Sequence, residues 1–243
     1  MPEGPSIVIL KEAVQEFKGK RVLFVSGNSK VNLQRVLFRE ILDFKSWGKH
    51  FLICFDGFTV RIHFLLFGTY RINETKPSPP RMHLRFSNGQ LNFYACSIQF
   101  IEGSLDDVYD WSGDIMNTQW DAKSAIKKLK AQPETLVLDA LLDQQVFAGS
   151  GNIFKNEVPF RIEVHPLSRI GALPPAKLNE LVNQTHQYSF DFYEWKKRYV
   201  LRKNWKAHTK RTCPRCQIPL VKEYLGKTNR RTFYCPSCQV LYK

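Results

Sequence analysis

The sequence predicts an α+β protein in which one helix and a mostly antiparallel β-sandwich or barrel come first, a helical segment follows, and a short ribbon organised by cysteines closes the chain. Three observations predict it. The hydrophobic period changes from helical to alternating near Gly19 and back after Trp120, two C-x-x-C pairs lie near the C-terminus, and positive charge is concentrated in the second half. At 243 residues the chain can form one large domain or two modest ones, each able to bury a core, and the change of pattern favours two.

The first element is "PSIVILKEAVQEFKGK", where Ile7, Leu10, Ala13, Val14 and Phe17 fall at helical spacing and Gly19 is the stop. From Arg21 to Gly103 short runs such as "RVLFVSG", "HFLICFDGFTVRIHF" and "MHLRFSNGQLNFYA" read as strands, joined by turns at Asp56-Gly57 and Asn88-Gly89. The acidic stretch "DDVYDWSGDIMNTQW" has no period and reads as a linker. Helical patterns follow in "DAKSAIKKLKAQ", "ETLVLDALLDQQVFAG", "IFKNEVPFRI" and, after Pro174-Pro175, "AKLNELVNQTHQYSFDFYEWKKRYV". The expected organisation is a first domain over 1–110, a linker over 111–120, a helical domain over 121–206 and a cysteine ribbon over 207–243.

Residues 1–120 hold 14 Lys/Arg against 12 Asp/Glu, whereas residues 121–243 hold 22 against 10, so nearly all of the net charge of +14 belongs to the second half. A basic surface of this kind attracts phosphate backbones through counterion release, independent of sequence. An acidic membrane is the weaker partner, because no stretch joins a clean apolar face to the basic residues. No run of 18 uncharged apolar residues appears, and Glu3, Glu12 and Glu16 stand where a signal peptide would be apolar, so a soluble intracellular protein is expected.

Cys213-Pro214-Arg215-Cys216 and Cys235-Pro236-Ser237-Cys238 are separated by 18 residues. The spacing suits a tetrahedral four-cysteine zinc site, closed and therefore structural; two disulfides are the alternative, which an intracellular chain disfavours. Cys54 and Cys96 lie in apolar strand runs and read as core residues. Between the pairs, a hairpin tip carries Lys227, Asn229, Arg230 and Arg231, and Lys196 to Arg211 holds eight basic residues and no acid. A hairpin pinned by zinc with arginines at its tip suits nucleic acid; a solvated basic helix face is the plainer reading of the 196–211 run.

The terminus Met1-Pro2-Glu3-Gly4-Pro5 reads either as a helix start, with proline in the first turn and an acid at the positive end of the dipole, or as a reagent. Taken with "GKH" at Gly48 to His50, "LLDQQVFAGSGNIFKNE" at Leu141 to Glu157 and the closing "NRRTFYCPSCQ", it resembles the bacterial DNA glycosylase family that contains formamidopyrimidine-DNA glycosylase and endonuclease VIII. The resemblance spans nearly the whole chain. It implies an N-terminal β-sandwich and a C-terminal helix-two-turns-helix domain with a zinc finger.

The resemblance further implies a bifunctional glycosylase and AP lyase of base excision repair, acting on damaged double-stranded DNA as a monomer in the bacterial cytoplasm or nucleoid. Pro2, exposed by loss of Met1, would be the nucleophile and Glu3 the general acid/base. Lys49 would assist catalysis from a hairpin. Asn152 and Arg230 would hold phosphate, with Arg231 the lesser candidate, and Glu157 falls on an acidic position of the family. Leu65, Leu66 and Phe67 would fill the void left by an extruded nucleotide; three consecutive apolar residues cannot all face one core. Two departures matter. Ser6 replaces the glutamate with which the family usually continues its terminal motif, and "FYACSIQF" lacks the paired arginines of the purine-type enzymes. With a short stretch before Cys213, this favours the endonuclease VIII type and oxidised pyrimidines over oxidised purines. A non-catalytic binder of damaged DNA and an RNA-binding zinc-ribbon protein are the rival readings.

Overall fold

Leu10, Val14 and Phe17 of the first helical run are fully buried, and this burial shapes the start of the fold. The computed structural model describes residues 2–243. The chain divides into two compact units, one ending at Tyr109 and the other spanning Asp110–Lys243. In the first, α1 (Gly4–Ala13) starts with Pro5 in its first turn and Glu3 as N-cap residue. It is shorter than the periodicity predicts. A 3-10 turn at Gln15–Phe17 replaces the last α-helical turn, and Gly19, at φ +75°, donates its N–H to Ile41.

Six antiparallel strands follow: β1 (Phe24–Ser26), β2 (Asp43–Trp47), β3 (His50–Phe55), β4 (Phe58–Ile72), β5 (Met82–Phe86) and β6 (Gly89–Glu102). They form one sheet in the order β1-β5-β6-β4-β3-β2. The two long strands make it a sandwich. The first part of β4 pairs with β3 and with the end of β6, while β5 pairs with the start of β6, and Phe51 of β3 packs against Phe93 of β6 with ring centroids 5.9 Å apart. Phe17, Phe51, Phe64, Leu84, Phe86 and Phe93 belong to one core.

The bend lies where the β4–β6 register jumps from Phe64↔Cys96 to Thr69↔Tyr94. Four residues of β4, Leu65 to Gly68, thereby stand opposite Ala95 alone. Such an excess on one strand breaks the ladder and bends the sheet. Ala95 takes a φ of +47°, and a Cβ on Gly68 would lie 2.7 Å from the Ala95 carbonyl oxygen, so only glycine closes the bend. The hairpin before β6 turns at Ser87–Asn88, one residue earlier than the Asn88-Gly89 signal implies, since Phe86 pairs with Gly89.

The second unit contains α2 (Ala122–Lys130), α3 (Val137–Ala140), α4 (Asn152–Arg161), α5 (Pro175–Lys197), β7 (Val221–Leu225) and β8 (Arg230–Tyr234), the last two a hairpin. Two expectations need correction. Residues 111–120 are not a free linker: Ile115 is fully buried, and its carbonyl accepts the Ser189 hydroxyl at 3.1 Å. Successive Asx turns, with Asp114 accepting from Met116 N–H and Asn117 from Gln119 N–H, give this stretch its order without a hydrophobic period. The run "ETLVLDALLDQQVFAG" is helical over only four residues. There the Gln144 side chain takes over as backbone partner, donating to the Leu142 and Ser150 carbonyls and accepting the Gly149 N–H.

Candidate functional site

In the first unit Pro2 is partly exposed and Glu3 is 1 % exposed. Glu3 caps α1 through its backbone: its carbonyl accepts the Ser6 N–H at 2.8 Å, while its side chain makes no capping bond. The carboxylate is thus placed by the helix start and not consumed by it. The far end of this segment is anchored to the start of β2, by Gly19 N–H to the Ile41 carbonyl and by Lys18 Nζ to Asp43 Oδ1 at 2.7 Å.

Lys49 sits at the opposite end of β2, in the two-residue turn Gly48-Lys49 that Trp47 and His50 close as a pair. Gly48 has φ +54°, the sign such tight turns require. The surroundings are cationic. Burial first, then the charges of Arg61, His63 and Lys49, push the His50 imidazole down to about 3, so it is neutral and its Nδ1 lies 3.1 Å from the Tyr109 hydroxyl. Burial, Lys49 and Arg61 also hold His63 below the usual range. The charges of Lys49 and Arg61 give this turn a positive potential that favours an anion. At the bend of β4, Leu65, Leu66 and Phe67 are 50 %, 59 % and 81 % exposed, all three outside the core.

In the second unit, α4 begins at Asn152 after Gly149-Ser150-Gly151, with Gly149 at φ +102°. The Oδ1 of Asn152 is buried without a hydrogen-bond partner among the described residues. The next polar residues are buried: Lys155, Asn156 and Glu157 are at most 1 % exposed. Lys155 Nζ donates to the Arg230 and Arg231 carbonyls, both at 3.2 Å, and to Thr232 Oγ1 at 2.9 Å. Asn156 Oδ1 accepts the Phe233 N–H at 2.7 Å, and its Nδ2 donates to the Asn152 carbonyl at 2.7 Å. α4 therefore fixes the strand that carries Arg230 and Arg231 through its backbone, leaving both guanidinium groups at the hairpin tip, Arg230 partly buried and Arg231 exposed.

Glu157 holds the segment before the cysteines. Its Oε1 accepts the N–H groups of Lys206, Ala207 and His208 at 2.8–3.0 Å, and its Oε2 pairs with Arg161 at 3.2 Å. The family acidic position thus has a structural partner set. The roles of Lys155 and Asn156 escaped the sequence reading, although "FKNE" within a run otherwise apolar on every side was the available signal: a helix buried all round must partner each polar residue.

The Sγ atoms of Cys213, Cys216, Cys235 and Cys238 all lie within 4.8 Å of one another, and those of Cys213 and Cys238 are 3.8 Å apart. The edge of a tetrahedron with metal–sulfur bonds of about 2.3 Å is about 3.8 Å, so the four thiols could hold one metal ion with no open position. Arg215 donates to Cys238 Sγ at 3.1 and 3.3 Å and to the Phe160 carbonyl at 2.8 Å, tying this cluster to the end of α4. Cys96 is buried in the first core as expected, and burial pushes its thiol up to about 12; Cys54 is only half-buried.

No helix among the described residues is long and apolar enough to cross a membrane. No family model matches the chain. Among curated proteins, "Endonuclease 8-like 2" of Bos taurus is 28 % identical, covering 98 % of this chain and 96 % of its own. "DNA-(apurinic or apyrimidinic site) lyase Nei2" of Mycolicibacterium smegmatis is 25 % identical over 98 % of this chain and 99 % of its own. The chain spans about a third of "Endonuclease 8-like 3" of Xenopus laevis, at 28 % identity over 79 % of this chain. Lactococcus lactis formamidopyrimidine DNA glycosylase, solved non-covalently bound to DNA containing an AP site, superposes with a TM-score of 0.85 at 18 % identity, over 98 % of this chain and 99 % of its own. The fold of this chain is that of the Lactococcus lactis enzyme, and in sequence the chain is similar over nearly its whole length to proteins of the formamidopyrimidine-DNA glycosylase/endonuclease VIII family.

Proposed function

We propose that this protein is a bifunctional DNA glycosylase and AP lyase of base excision repair. The observation that carries the reading is the start of the chain, where Pro2 directly precedes a carboxylate, Glu3, that is buried at the head of α1 and is not spent on capping it. With Met1 removed, Pro2 offers a secondary amine. Free α-amines have an ordinary pKa near 8, against about 10.4 for lysine, so a useful fraction is unprotonated at neutral pH.

The amine attacks C1′ of the damaged nucleotide as the base leaves with its bonding pair and a proton. Glu3 protonates the opening sugar and later moves protons between C2′, C4′ and the departing groups. The resulting iminium is an electron sink: loss of a C2′ proton expels the 3′ phosphate, and a second elimination expels the 5′ phosphate. Lys49 steadies phosphate at the cationic turn, while Asn152 and Arg230 hold phosphate from the second unit, with Arg231 beside it. The apolar trio Leu65, Leu66 and Phe67 occupies the space of the extruded nucleotide. Zinc in the four-cysteine cluster would be structural, supplying four bonds that a ribbon too short for its own core lacks.

The substrate class we favour is oxidised pyrimidines in duplex DNA, supported by the missing paired arginines in "FYACSIQF" and the short connection between α5 and Cys213. The test is a panel of duplexes with 5-hydroxyuracil, thymine glycol, 8-oxoguanine or an abasic site, run with and without borohydride. Covalent trapping on the abasic duplex, with pyrimidine lesions cleaved fastest, is expected. Absence of trapping from protein with Pro2 at its terminus overturns the lyase reading, and fastest excision of 8-oxoguanine overturns the substrate class.

A further inference from the structure

Tyr199 follows α5 with 96 % of its surface exposed, the most of any large apolar or aromatic side chain among the described residues. Its φ is +59°, a left-handed conformation that is strained for a non-glycine residue. The turn is held all the same: Tyr199 N–H donates to the Lys196 carbonyl at 3.1 Å and Val200 N–H to the Trp195 carbonyl at 2.9 Å. A held, strained turn that projects an aromatic ring into water has no explanation in the core.

The ring stands in the basic run of residues 196–211, which contains no acid. Trp195, one turn earlier on α5, lines a cleft of about 750 Å³ whose walls also include Arg161, Asn204, Lys206, Arg215 and one acid, Asp191. Asn204 Nδ2 donates to the Val200 carbonyl at 3.0 Å, so the Tyr199 turn and the cleft wall form one surface. Arg161, 9 % exposed, donates to the Asn204 carbonyl at 3.2 Å and lies over the rings of Tyr188 and Trp195, at 4.7 and 5.8 Å. Arg161 ends α4 and Asn152 begins it. Ten residues at 1.5 Å each put about 15 Å between this surface and the phosphate-holding asparagine.

We propose that this surface is a second nucleic-acid site, specific for an unpaired strand: Tyr199 stacks on a base, Lys203 and Lys206 take phosphates, and the cleft beside Trp195 receives the neighbouring nucleotide. Cations alone would suit any polyanion. A fully exposed ring face suits a base that is not already stacked within a duplex, and stacking platforms in a cationic groove are how single strands are held. An anionic membrane would call for a wider apolar face than one phenol ring.

Fluorescence anisotropy with labelled oligothymidine and with a blunt duplex tests this. Tyr199→Ala is expected to weaken oligothymidine binding by roughly fivefold or more, with Tyr199→Phe close to wild type, because the ring and not its hydroxyl does the stacking. Replacing Lys203 and Lys206 together by Gln is expected to reduce the salt slope by about 1.4. Equal losses on blunt duplex and oligothymidine, no loss with Tyr199→Ala, or tighter binding to phosphatidylserine vesicles than to oligothymidine would each overturn the proposal. Borohydride trapping on an abasic duplex runs in parallel and is expected to be unchanged in Tyr199→Ala. Its failure in the wild type would overturn the lyase reading alone, since the oligothymidine comparison does not depend on it.

Discussion

Glu157 Oε1 accepts the backbone N–H of His208 at 2.8 Å, a bond across 51 residues that ties the middle of α4 to the segment leading into the cysteines. The same carboxylate takes two further backbone N–H groups and the Arg161 guanidinium, and it is fully buried. Glu157→Ala would strand three donors and a cation together. Breaking one side of a buried charged network costs about 3–5 kcal/mol. At a few degrees per kcal/mol for a chain of this size, Tm should fall by on the order of 10 °C in circular dichroism melts. Glu157→Gln keeps one acceptor and should fall less. A Glu157→Ala protein melting like wild type would show that water replaces these bonds.

Lys155 gives a prediction in pH. Burial first, then the charge of Arg230, hold its ammonium down at about 8, opposed by Asp139, while in the unfolded chain it returns to about 10.5. Between those values the unfolded state binds more protons than the folded one, so stability rises with pH across that window; below about 8 both states are protonated and the contribution is flat. Denaturant unfolding between pH 7 and 10 should show wild type gaining on Lys155→Met as pH rises. At neutral pH, Lys155→Met should weaken binding to abasic duplex, because the Arg230 and Arg231 carbonyls lose the donor that sets their strand.

How much of this was legible follows from where the partners lie. The cysteine pairs, the strand turn at Asp56-Gly57 and the core stripe of α5 are local patterns, readable within a few residues. Lys155 and Asn156 find their partners more than seventy residues later, on β8, and nothing local announces that pairing. Ile115 failed for the opposite reason: one apolar residue among Asx turns has no period, yet its burial decides that 111–120 belongs to the second unit. At Leu65 to Phe67 the argument from alternation held, because a bulge can turn all three outward and a regular strand cannot.

The cysteine cluster predicts one metal ion per chain. Burial and the neighbouring Cys235 push the Cys238 thiol up to about 12 and burial raises Cys216, while at Cys213 burial is outweighed by the backbone N–H groups of Cys216 and Arg215, which bring the thiol down to about 7. Elemental analysis should find about one zinc, and Cys213→Ser and Cys235→Ser should each lower that content. Treatment with a strong chelator should reduce affinity for DNA, because Arg230 and Arg231 ride on the hairpin between the cysteine pairs. Full affinity after zinc removal would mean that α4 alone orders the ribbon.

Glu3→Gln separates chemistry from binding. The amide matches the carboxylate in size and should leave α1 intact, because the cap is made by the Glu3 carbonyl. General acid/base catalysis contributes about 10²–10⁴-fold, so excision of an oxidised base should fall by that order while affinity for the same duplex changes little. Retention of Met1 should abolish borohydride trapping and leave binding as it was. Unchanged excision by Glu3→Gln would remove this carboxylate from the proton transfers.

Phe67 tests whether the exposed trio fills a void. At 81 % exposure its ring contributes little to the core, so Phe67→Ala should leave Tm nearly unchanged, within the ±0.5 kcal/mol usual for surface substitutions. Extruding a paired nucleotide costs a few kcal/mol, and an apolar wedge offsets part of that cost by replacing the lost stacking. A lesion in an unpaired bubble has little stacking to lose. The variant should therefore lose excision on a fully paired duplex by about tenfold, the equivalent of about 1.4 kcal/mol, and lose much less on the same lesion in a bubble. Leu65→Ala and Leu66→Ala should show the same direction with smaller size, since each leaves the larger Phe67 ring in place. Equal losses on both substrates would mean that Phe67 contacts DNA without entering the stack, and no loss on either would leave its exposure without a role in extrusion.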